Sequence, residues 1–247
     1  MNTPKRTWLA AAAIASLAVT TGCTDNNVSM FIRHVPVPDP EDGCSYSNDP
    51  SASFLIDGKL DKSLATEYSQ TFLVGNQLVP RGDADTLRPE TSRVAMFEAE
   101  ITVFRNDGAE LASFSVPTSG HIDESQGTTP GFGIVAVSPV IDAATLSARS
   151  IPGDDTSPFL VDTSAGGSTV VARVQLFGET LGGIAVETGT YDWPVFVCGE
   201  NGVSTCIGTY PPENKDDPVR APCRVGQDQP HDCRFVDNFS GVSGHCL

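Results

Sequence analysis

Residues 93–117 read RVAMFEAEITVFRNDGAELASFSVP, and this stretch decides the fold. Asp107-Gly108 at the centre of a two-residue loop matches the favoured type I′ hairpin turn. That loop sets Arg105 against Glu110, Phe104 against Leu111, Val103 against Ala112, Ile101 against Phe114 and Ala99 against Val116. One face then carries Ala99, Ile101, Val103, Ala112, Phe114 and Val116, and the other Glu100, Thr102, Ser113 and Ser115. A slip of one residue would set Val103 against Ser113 and mix the two faces, so the apolar pattern selects the first register. The opposite charges of Arg105 and Glu110 add support of about 0.2–1 kcal/mol.

The same two-residue period recurs on both sides. Val170, Ala172, Val174 and Leu176 alternate with Val171, Arg173 and Gln175, and Tyr68, Phe72, Val74 and Leu78 share one face of residues 67–79. Tyr191, Trp193, Val195 and Val197 lie on one side of a last run, in which Pro194 predicts an edge strand or a bulge. Ile134–Val137 is apolar on both parities and reads as a buried strand. Residues 142–150 are a candidate short helix. Residues 80–91 and 152–168, rich in Asp, Gly, Ser and Pro, read as loops. Half-polar alternation broken by Gly, Pro and Asp predicts an all-β protein, an antiparallel β-sandwich with one wet face per sheet. In this respect it resembles immunoglobulin-like folds. No period of 20–50 residues marks a propeller or solenoid.

The chain has 247 residues and a formal charge of −16. Such acidity argues against nucleic acid and anionic headgroups as ligands. Its start is different: Lys5 and Arg6 precede an apolar run from Trp8 to Val19, then Thr20-Thr21-Gly22-Cys23. A basic start, a short apolar run and small residues before a cleavage point form a secretory signal. The run falls short of the roughly 20 residues of a membrane-spanning helix. Loss of residues 1–22 removes both charged residues and leaves a charge of −18.

Cys23 directly after the small residues makes this segment resemble a bacterial lipoprotein signal, although Thr20 stands where that family usually has Leu or Val. The resemblance implies lipidation of Cys23 by several acyl (palmitate-type) chains, each buried CH₂ contributing about 0.8 kcal/mol. It implies an anchor in the outer membrane, because Thr24 and not Asp follows the cysteine. The Ala/Asp/Gly/Pro-rich style is similar to uncharacterised envelope lipoproteins of myxobacteria. The domain reading is therefore a signal peptide over 1–22, a Pro-rich tether over 23–50, a sandwich over 51–198 and a Cys-rich tail over 199–247. Val35-Pro36-Val37-Pro38-Asp39-Pro40 favours extended polyproline geometry in the tether.

Without Cys23 six cysteines remain: Cys44, Cys198, Cys206, Cys223, Cys233 and Cys246. An even count in an exported chain reads as three disulfides. Five of them lie in 198–247, so full oxidation requires Cys44 to bridge into that stretch. Cys198 is the expected partner, since both flank the sandwich. Zinc is the rival reading, with His231 and His245 among the cysteines, but no C-x-x-C spacing supports it.

Other motifs carry less. Arg81-Gly82-Asp83 matches an integrin-binding tripeptide, but a Gly-centred turn after a strand already explains it. His121-Ile122-Asp123 lacks any G-x-S-x-G serine to form a hydrolase triad. Asp83, Asp85 and Glu90 in one loop, with Asp154 and Asp155 in another, could bind Ca²⁺ but do not match the EF-hand pattern. Tyr191 and Trp193 read as core or as a carbohydrate-stacking platform. P-loop, dinucleotide and H-E-x-x-H motifs are absent. The expectation is a lipid-anchored envelope protein without cofactor or catalytic residues. Its partner would be an envelope protein or a glycan. Two alternatives stand beside it: an extracytoplasmic hydrolase of peptidoglycan or polysaccharide, and a calcium-dependent carbohydrate-binding module.

Overall fold

The computed structural model describes residues 29–82, 91–142, 145, 167–199, 207–214, 216 and 218–240. Its strands are β1 (Met30–Pro36), β2 (Pro38–Asp39), β3 (Ser45–Tyr46), β4 (Phe54–Leu55), β5 (Gly58–Asp61), β6 (Tyr68–Asn76), β7 (Val94–Arg105), β8 (Glu110–Ile122), β9 (Gly131–Ile141), β10 (Ser168–Thr180), β11 (Ala185–Glu187), β12 (Tyr191–Cys198), β13 (Thr209–Tyr210) and β14 (His231–Asp232). A helix, α1 (Cys233–Ser240), follows them. One hydrogen-bonded path runs β4-β1-β6-β9-β8-β7-β10-β12-β5, with β11 added to β10. Most neighbours are antiparallel, while β5 joins β12 in parallel, so the sheet is mixed.

This is a nearly closed, barrel-like sheet, which corrects the expected sandwich of two separate sheets. The first and last strands of the path, β4 and β5, are separated in the chain by Ile56 and Asp57 alone. Three Cα steps reach about 10 Å, so the two edges of the sheet are held together. A parallel bridge between Met30 and Thr188 narrows the seam. β8 carries the path around the bend, pairing with β7 over its whole length but with β9 only at Thr118 and Ser119.

The interior is apolar and filled. Ala99, Ile101 and Val103 from β7, Val170, Ala172, Val174 and Leu176 from β10, and Trp193, Val195 and Val197 from β12 are all buried in one cluster with Tyr68 and Phe72. In β7 the inward parity switches between Met96 and Ala99, where the ladder with β8 shifts. That bulge turns Phe97 outward, half exposed. In β9, Val135 and Val137 point inward while Ala136 is exposed, so this strand is wet on one face rather than buried on both.

The hairpin keeps its expected register from Ala99↔Val116 to Val103↔Ala112. Its turn differs. Gly108 N–H donates to the Arg105 carbonyl at 2.9 Å and Arg105 N–H to the Ala109 carbonyl at 2.8 Å. Gly108 has φ +87° and Asp107 does not have a positive φ. This is a three-residue loop with glycine in the left-handed region, not type I′. Phe104 therefore opposes Glu110, and the ladder shift next to it restores the register. Arg105 does not reach Glu110. It holds Asp107 with two hydrogen bonds of 2.9 Å from Nε and one of 2.6 Å from its terminal nitrogen.

Three further expectations are corrected. β12 is not an edge strand: β10 flanks it on one side and β5 on the other. Pro194 is tolerated because the ladder to β5 starts one residue later, at Val195. The segment read as a tether over 23–50 carries β1, paired to both β4 and β6, with Met30 and Val35 fully buried. The disulfide of Cys44 goes to Cys223, across 179 residues, not to Cys198. Residues 143–144 and 146–150 of the candidate helix and residues 83–90 and 152–166 of the candidate loops lie outside the described residues.

Where β8 bends toward β9 the two backbones nearly touch. A Cβ on Gly133 would lie 2.2 Å from the His121 carbonyl oxygen. Gly133→Ala is expected to destabilise the fold by about 1–3 kcal/mol, read as a lower urea midpoint with an unchanged slope.

Candidate functional site

Among the described residues, a dense array of chemically able side chains lies at the barrel mouth where β5 ends and β6 begins. The segment after Cys223 turns into this mouth through two left-handed residues, Gly226 (φ +67°) and Asp228 (φ +55°). Asp228 occupies a conformation that Asp and Asn tolerate better than most. Its Oδ1 accepts from Lys59 N–H at 2.9 Å and from the Tyr68 hydroxyl at 2.9 Å, and Oδ2 accepts from Gln70 at 3.1 Å. The Tyr68 oxygen accepts in turn from Trp193 Nε1 at 3.0 Å and from Gln70 Nε2 at 2.7 Å.

Around this centre the tail is stitched to the barrel. Arg224 donates to Gln70 Oε1 at 3.0 Å, to Thr71 Oγ1 at 2.6 Å and to the Ser69 carbonyl, and its guanidinium lies over the Tyr46 ring. Gln227 accepts from Ser69 N–H and donates to the Glu67 carbonyl, both at 3.1 Å. His231 Nε2 accepts from Gly226 N–H at 2.8 Å, so that nitrogen carries no proton. The Cys44–Cys223 bond anchors the start of the segment, the kind of long-loop tie that contributes about 2–4 kcal/mol.

Burial governs the titration here. It raises the Asp228 carboxyl, against the hydrogen bonds from Lys59, Tyr68 and Gln70 and the charge of Arg224. Burial also pushes the Tyr68 hydroxyl well above its ordinary value, with the Asp228 charge acting in the same direction. Burial lowers His231, against the Pro230 and Gln229 backbone and the Asp61 charge. An Asp, a Tyr, an Arg and a His together suggest chemistry, yet the space beside them, bordered by Pro38, Tyr46 and Asp228, is about 10 Å³. That is room for one water and for no substrate. The array is a polar plug that closes the mouth.

The residues singled out in the sequence are scattered. Cys198 and Cys233 are disulfide-bonded, like Cys44 and Cys223, whereas Cys23, Cys206, Cys246 and His245 lie outside the described residues. So do Asp83, Asp85, Glu90, Asp154 and Asp155. His121 is exposed on β8, and Asp123 forms an ion pair with Arg93 at 2.8 Å, so the His121-Asp123 pair is not organised as a triad. Trp193 is 1 % exposed and donates to Tyr68, which removes it from any carbohydrate-stacking surface. Sequence reasoning missed Arg224, Gln227 and Asp228, polar residues in a stretch without periodicity. Comparison with protein families, curated proteins and solved structures gave no match.

Two outcomes follow from the plug. Tyr68→Phe strips Trp193, Gln70 and Asp228 of a shared partner and is expected to cost about 3 kcal/mol, measured by thermal unfolding. His231, held below the ordinary value of 6.5, favours the folded state while its ring is neutral. That contribution is complete above pH 6.5 and is lost as pH falls toward the depressed value in the fold. Urea unfolding at pH 7.5, 6.0 and 5.0 should show this loss, and His231→Gln, which keeps an acceptor for Gly226, should flatten it.

Proposed function

We propose that this protein is a lipid-anchored component of a bacterial cell envelope, held in the outer membrane through Cys23, with a binding or structural role and no catalysis. The observation that carries the reading is the order of basic residues, apolar run, small residues and Cys23. Two features support the role. The barrel interior is occupied by Trp193, Tyr68, Phe72 and Leu60, and one mouth is plugged, so partners meet the outer surface. On the outside of the plug a groove of about 740 Å³, bordered by Pro40, Tyr210, Arg220 and Pro230, offers an aromatic, a cation and rigid prolines to an envelope protein or glycan.

The anchor also sets the protein's distance from the bilayer. Five residues separate Cys23 from Ser29, the residue before β1, and the six Cα steps between them reach at most about 20 Å. The lipidated end would be a short leash. Mass spectrometry of the membrane fraction should find diacylglyceryl-modified Cys23 at the mature N-terminus, and Cys23→Ser should leave the leader uncut. A freely soluble chain with an unmodified Cys23 would overturn the reading.

A further inference from the structure

The mouth opposite the plug differs in character. The chain enters the barrel there: Gln77 N–H donates to the Ser29 carbonyl at 2.8 Å. The turn between β10 and β11 lies at the same mouth, since Leu181 N–H donates to the Arg93 carbonyl at 2.9 Å. Val79, Leu181 and Ile184 stand at this end with 69 %, 59 % and 51 % of their surface exposed. Beside them is an apolar groove of about 480 Å³, lined among others by Leu78, Val79, Ile184 and Val186. Arg93 and Asp123 nearby neutralise each other at 2.8 Å. Glu179 of β10 and Glu187 of β11 are exposed on the wall beside this rim, and the plugged mouth presents exposed Glu41, Asp42, Glu213 and Asp216.

Phe54 and Ile56 are exposed at the plugged mouth as well; exposed apolar side chains mark a contact surface, and the chain outside the barrel says which end meets the lipid. From Ser29 it runs only six Cα steps to Cys23, a reach of about 20 Å. We propose that this rim rests on the bilayer, with Val79, Leu181 and Ile184 seated at the boundary between headgroups and acyl chains. The barrel then stands on its N-terminal mouth, and the acidic plug faces away from the lipid. The short leash keeps the rim at the surface, so modest apolar insertion suffices to fix the orientation. This inference rests on lipidation of Cys23.

The test uses the mature lipoprotein purified from membranes and reconstituted in phosphatidylcholine vesicles containing a diazirine-bearing phosphatidylcholine. Illumination followed by peptide mass spectrometry should place lipid adducts on peptides holding Val79 and residues 181–186. The triple variant Val79→Glu, Leu181→Glu, Ile184→Glu changes only exposed positions and should lower rim labelling about tenfold with the Cys23 lipid retained. Adducts confined to Phe54 and Ile56 at the plugged mouth, rim labelling unchanged in the variant, or rim peptides cross-linked to a second copy of the chain would each overturn it. The same spectra read Cys23. A lipidated Cys23 with an unlabelled rim sinks this inference alone, and an unmodified Cys23 sinks the anchor as well.

Discussion

Two residues, Ile56 and Asp57, join the opposite edges of the sheet. A path of nine strands whose terminal members are consecutive in the chain must curl back on itself. The right-handed twist of paired strands supplies the curl, and the apolar faces that alternation places on each strand then meet inside. Every other feature depends on that closure. It brings Tyr68 of β6 and Trp193 of β12 within hydrogen-bonding distance although they are 125 positions apart in the chain. It also creates a mouth that the tail can enter.

A closed mouth poses an electrostatic problem that the tail solves. Lys59 and Ser69 would otherwise turn backbone N–H groups toward the entering chain without partners, and such groups are expensive to bury unsatisfied. Asp228 and Gln227 supply the acceptors, while Arg224 donates to oxygens of three successive β6 residues. A connected polar cluster of this kind rigidifies its surroundings and specifies one arrangement. Its members include types common in active sites, and the space beside them, about 10 Å³, is room for one water.

The strands were largely legible and their assembly was not. Ala99, Ile101 and Val103 announce a buried face by period alone, because apolar alternation reports which side of a strand is dry. It does not report whether the dry sides face a second sheet or the far wall of a barrel, since both demand the same pattern. The loop at Asn106-Asp107-Gly108 was located correctly and typed wrongly. Glycine satisfies either turn, and the Asp107 carboxylate decides between them by accepting from Ala109 N–H at 3.1 Å and binding Arg105. β1 was hidden by Pro36 and Pro38, which read as polyproline although Met30 and Ile32 carry the two-residue period. The plug was out of reach because Arg224 and Asp228 gain meaning only from partners more than 150 residues away.

The bond between Cys44 and Cys223 has a consequence for biogenesis. Synthesis runs from the N-terminus, so Cys44 is made 179 residues before its partner exists. The first strands must wait for β10, β12 and the tail, and loop-closure entropy makes such distant pairings slow to form. In the interval the nascent sheet has open edges of the kind that recruit other chains. Maturation of this protein is thus a race between a late covalent lock and aggregation, and it favours cells that shield half-made chains until the last cysteines emerge.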